Sequence, residues 1–71
     1  MKILFVSHSH TQTVITVQLE RENPSATDFD FQVHLYNQNG HTEMCTVAHD
    51  YEDAAFMHKQ ICEKCGIMVN M

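Results

Sequence analysis

The chain has 71 residues, 44% of them hydrophobic and 18% charged, with nine acidic side chains against four basic ones and a formal charge of −5. A chain of this length forms one domain and buries only about 60% of the surface its unfolded form exposes, leaving little volume for an enclosed substrate cleft. The acidic balance disfavours direct binding to nucleic-acid phosphates, and no apolar run is long enough to span a membrane.

A secretory signal is not expected, because the apolar run "ILFV" is broken at once by "SHSHTQT". Three cysteines in a chain without such a signal point to reduced thiols in a cytoplasm, not to a disulfide framework. The start at Met1 is consistent with a complete small gene product.

In chain order, the first two elements are strands over about 2–7 and 13–20, paired as a hairpin that turns within Ser7 to Gln12. Ile15, Val17 and Leu19 alternate with Thr16, Gln18 and Glu20 in the second. "RENPSAT" supplies Pro24 and polar turn residues for a loop. A third strand, about 28–36, alternates Phe29, Phe31, Val33 and Leu35 with Asp28, Asp30, Gln32 and His34. "NQNG" then turns the chain into a fourth strand, about 41–48, with Gly40 in the left-handed conformation of a three-residue loop with a bulge. An unbroken register from that loop turns Cys45 and Val47 inward with the phenylalanines.

Asp50 suits the N-cap of a helix over about 51–65, with Asp53 three residues on, and Gly66 suits its C′ position. At 100° per residue, Tyr51, Ala54, Ala55, His58, Ile61, Cys62 and Cys65 gather on one face. "IMVNM" is long enough for a short final strand over 67–70. The fold class expected is α+β: a four-stranded antiparallel sheet built from two hairpins, with one C-terminal helix on one face, in the order ββββα.

Within "HKQICEKCGIMV", Cys62, Cys65 and Gly66 match the string of a zinc knuckle. A structural zinc site needs four ligands, and the others would have to come from Cys45, His41, His49 or His58, without a second paired motif. Helical phase instead puts both cysteines on the apolar stripe, where a reduced thiol behaves as a small hydrophobe. The core reading is therefore preferred, and a zinc-stabilised module is the alternative. A redox pair belongs at a helix start, and this one sits at the end. His8 and His10 share a side of the extended chain without a carboxylate nearby in sequence, and read as a polar turn. No arrangement supplies a nucleophile, base and oxyanion site together, so no enzyme activity, metal or cofactor is expected.

Antiparallel pairing should gather Glu20, Glu22, Asp28, Asp30, Asp50, Glu52 and Asp53 at one end of the sheet, offset by Arg21 and Lys2. Such a pole would steer a basic partner. Phe56 projects from the polar side of the helix as an interface anchor. Because one helix covers one sheet face, apolar residues on the other, expected to include Val14, Tyr36 and Met44, favour a homodimer. The function expected is a non-enzymatic interaction module that binds a basic protein, of the type of phage or mobile-element inhibitors that occupy a host protein's nucleic-acid site. That comparison is of type and rests on no motif.

Overall fold

The structure is a computed structural model and describes residues 1–20 and 30–71. Strands β1 (Lys2–His8), β2 (Gln12–Gln18), β3 (Phe31–Asn37) and β4 (Thr42–Ala48) form one sheet in that order, each pair antiparallel, and helix α1 (Tyr51–Cys65) follows. The ββββα order and the α+β class are as the periodicities require. Asp28 and Phe29, expected at the start of β3, lie outside the described residues.

Hydroxyls close the first hairpin. Ser9 Oγ accepts from the N–H groups of Thr11 and Gln12 at 3.3 and 3.2 Å, and the Ser9 N–H donates to the Gln12 carbonyl at 2.8 Å. This serine turn does the work of the missing Asn-Gly pair. In the second hairpin Gly40 has φ 81°, its N–H donates to the Asn37 carbonyl at 3.0 Å, and the Asn37 N–H donates to the His41 carbonyl at 2.9 Å. That is the expected three-residue loop with a left-handed glycine at a bulge.

A second irregularity overturns the expected facing of β4. Tyr36 pairs with Thr42, yet Leu35 pairs with Met44, so Glu43 is an extra residue. One inserted residue flips every later side chain to the other face. Met44, Thr46 and Ala48 therefore share the face of Leu35, Val33 and Phe31, while Cys45 and Val47 lie opposite, across from His34 and Gln32. A matching bulge in β1 makes Leu4 the extra residue between the Ile3–Val17 and Phe5–Thr16 pairs, which lets Leu4 and Phe5 both serve the helix side.

The helix covers one face. Val14, Val33, Leu35, Ile61, Cys62 and Ile67 form the larger core cluster, and Phe31, Ala48 and Ala54 a smaller one beside it. Val14 was expected on the uncovered face and is fully buried under the helix, because it pairs with Leu35. Met44 also belongs to the helix side, at its margin. Tyr36 does lie on the uncovered face, stacked on His34 with ring centres 5.7 Å apart.

Helix α1 has the expected bounds. Asp50 is extended at φ −141°, and its Oδ1 accepts from the Asp53 N–H at 2.8 Å. Gly66 takes the left-handed conformation at φ 68°, and the Ile67 N–H returns to the Cys62 carbonyl at 2.8 Å. Asp50→Ala removes the N-cap acceptor and should cost about 1 kcal/mol, lowering the thermal midpoint by about 4–8 °C. Differential scanning calorimetry measures it, and an unchanged midpoint would deny the cap its role.

Residues 67–71 do not form the short strand allowed by "IMVNM". The tail meets β1 through a side chain: Asn70 Nδ2 donates to the Val6 carbonyl at 3.1 Å, and the Asn70 N–H donates to Ser7 Oγ at 2.8 Å. An amide side chain occupies the strand edge where a backbone ladder would have formed.

Candidate functional site

The sheet register decides which acids meet. Gln18 pairs with Phe31, Phe31 pairs with Ala48, and the Leu19 N–H donates to the Asp30 carbonyl at 2.7 Å, so the end of β2, the start of β3 and the end of β4 coincide. Helix α1 starts from the same end. Glu20, Asp30, Asp50, Glu52 and Asp53 are thereby brought to one pole, five of the nine acids. Glu22 and Asp28 lie outside the described residues. Glu43 and Glu63 sit away from this pole, at the start of β4 and in the last turn of α1.

Among the described residues Lys2 and the N-terminal ammonium are the cations at this end, the latter 3.7 Å from Glu20 Oε1 in a solvent-exposed pair that contributes little stability. Met1, Lys2, Gln18, Leu19, Glu20 and Asp30 line an open cleft of about 700 Å³ there. Across the first two helical turns the exposed side chains are Tyr51, Glu52, Asp53 and Phe56, with no cation among them. At 100° per residue Glu52, Phe56 and Asp53 are successive around the side of α1 facing away from the sheet, and Phe56 is 60% exposed. An aromatic held in water between two carboxylates has no role in the core.

The most ordered polar cluster lies inside the molecule. His58 is fully buried, with Nε2 2.7 Å from Ser7 Oγ and Nδ1 2.8 Å from Thr16 Oγ1. Ser7 and Thr16 are also fully buried, and the Phe5 ring stands edge-on to the imidazole. Burial lowers the His58 pKa from 6.5, so the ring is neutral at pH 7, one nitrogen donating and the other accepting. Ser7 and His58 have the spacing of a nucleophile and base. Their third partner is a threonine hydroxyl, not a carboxylate, and solvent does not reach them, so the arrangement is a structural polar network. Helical phase puts His58 on the apolar stripe and so toward the core; its full burial and its partners were not legible, because Ser7 sits in "SHSH", a stretch that reads as turn.

Cys62 is buried beside Ser7, and burial raises its thiol pKa, with the Ser7 hydrogen bond opposing and Cys65 adding to the rise. Such a thiol is a poor nucleophile. Cys65 is half-buried and Cys45 exposed. Cys62 and Cys65 occupy the last helical turn, not the tight non-helical turn of a zinc knuckle. Among the described residues no group of three or more His, Cys, Asp and Glu side chains is arranged to hold a metal. No helix among them is long and apolar enough to cross a membrane. Comparison with family models, curated proteins and solved structures gives no match to this chain.

Proposed function

We propose that this chain is a non-enzymatic interaction module that docks a basic surface of another protein through the acidic end of its sheet, in a reducing cytoplasm. The observation that carries the reading is the convergence of Glu20, Asp30, Asp50, Glu52 and Asp53 at one end of the sheet, with the exposed ring of Phe56 between Glu52 and Asp53 on the helix. Carboxylates concentrated on one end of so small a body attract a cationic surface and accelerate encounter, and an exposed aromatic supplies the desolvated contact that charges alone do not. The basic surface that best fits a cluster of carboxylates is one shaped for phosphates, so the partner class is a nucleic-acid-binding protein whose site the module occupies, in the manner of a phage or mobile-element inhibitor.

The test is capture from the native host at low and high salt, with the wild type beside Glu20→Gln, Glu52→Gln and Asp53→Asn combined. These positions are exposed and outside the core, so the fold should persist. The partner retained by the wild type at low salt should be lost from the triple variant and at high salt. A partner retained equally by all would refute the acidic end as the docking surface.

A further inference from the structure

We propose that the outer edge of β4 pairs antiparallel with β4 of a second copy of this chain, making one continuous sheet across a two-fold axis at Thr46. The two edges of the sheet differ. β1 is interrupted by the Leu4 bulge, and Asn70 occupies the Val6 carbonyl beside it, both devices that protect a strand edge. On its outer side β4 has no strand neighbour among the described residues, and from Met44 to Ala48 it is regular and uncharged.

The direction of the backbone groups follows from two hydrogen bonds. The Leu19 N–H to the Asp30 carbonyl and the Asn37 N–H to the His41 carbonyl set which residues of β3 turn toward each neighbour, since the direction alternates along a strand. Thr46 and Ala48 thus bond to β3, and the N–H and C=O of Cys45 and Val47 point outward. A two-fold axis at Thr46, the midpoint of the regular stretch, lets Cys45 of each copy exchange both bonds with Val47 of the other. Met44, 41% exposed at the margin of the helix side, then falls opposite Ala48 of the second copy.

Charge selects a second copy in this orientation. Each chain carries −5, and antiparallel pairing sends the two acidic ends to opposite extremes of the joined sheet, where parallel pairing would crowd them together. Thr46 touches Met57, which identifies the flank of α1 overhanging β4. Asp53 and Lys64 lie on that flank at opposite ends of the helix, so the two-fold axis turns the acid of each copy toward the lysine of the other. The proposal is independent of the acidic-end reading.

Sedimentation equilibrium of the wild type should give twice the 8.2 kDa chain mass at high concentration. Cys45→Pro removes an outward N–H without touching the bonds to β3, and should give a folded monomer. In the wild type the two Cys45 side chains are diagonal neighbours about 7–8 Å apart. A short bis-maleimide should therefore join them, and Cys45→Ser should abolish the cross-link while keeping the dimer mass. A wild type that stays monomeric, a dimer unaffected by Cys45→Pro, or a dimer without a Cys45–Cys45 cross-link would each overturn the proposal; the cross-link decides even if the proline variant fails to fold.

Discussion

Replacing His58 with alanine should destabilise the chain by about 3–5 kcal/mol, the range for removing a large buried ring. The imidazole is fully enclosed and bridges β1 and β2 to the helix through Ser7 and Thr16, so its loss leaves a cavity, strands the Thr16 hydroxyl and leaves Ser7 Oγ with only the Asn70 N–H. A domain of this length holds only about 4–11 kcal/mol in all, so the loss takes a large share of it and should move the urea midpoint well below that of the wild type. Thr16→Val keeps the shape but removes one of the two hydrogen-bonding partners of the ring, and should cost less, about 1–3 kcal/mol. Urea unfolding followed by circular dichroism measures both. Equal, small losses would mean that the network is dispensable.

Acid should weaken the fold through the same residue. The folded pKa of His58 lies below 6.5 because burial penalises the imidazolium, and none of its hydrogen-bonding partners carries a charge that would offset this. The unfolded chain then takes up a proton that the folded chain refuses, so the contribution of His58 is fully present above about pH 6.5 and is lost as pH falls toward the folded pKa. Each unit separating the two values corresponds to about 1.4 kcal/mol. Urea midpoints should decline from pH 7 toward pH 5 in the wild type and decline less in His58→Gln. A wild-type midpoint flat across that window would contradict a neutral buried histidine.

The fold class and the helix bounds were legible because local chemistry fixes them: Asp50 and Gly66 are strong start and stop residues, and the period of β3 admits no other element. What period two cannot say is which face the helix covers. Val14 and Ile15 are both apolar, and only the pairing of Val14 with Leu35 puts it in the core. The Glu43 bulge carries no glycine or proline to announce it, and that single unmarked residue reversed the expected facing of Cys45 and Val47. Thr16 reads as the polar side of a strand, yet it is buried because a histidine 42 positions later needs its hydroxyl. The acidic pole was readable from topology alone, since hairpin pairing forces strand ends together whatever their exact register. That β4, and not β1, is the edge without a neighbour among the described residues was not, because it depends on where Asn70 lies.

On the proposed function, basic protein surfaces should land on the acidic end of the sheet. Titrating isotopically labelled chain with the captured partner and following backbone amide chemical shifts locates the contact directly. The amides of Glu20, Asp30, Glu52, Asp53 and Phe56 should move first, and added salt should reverse the change. Shifts confined to the uncovered sheet face around Ile15, His34 and Tyr36, with the acidic end silent, would contradict it.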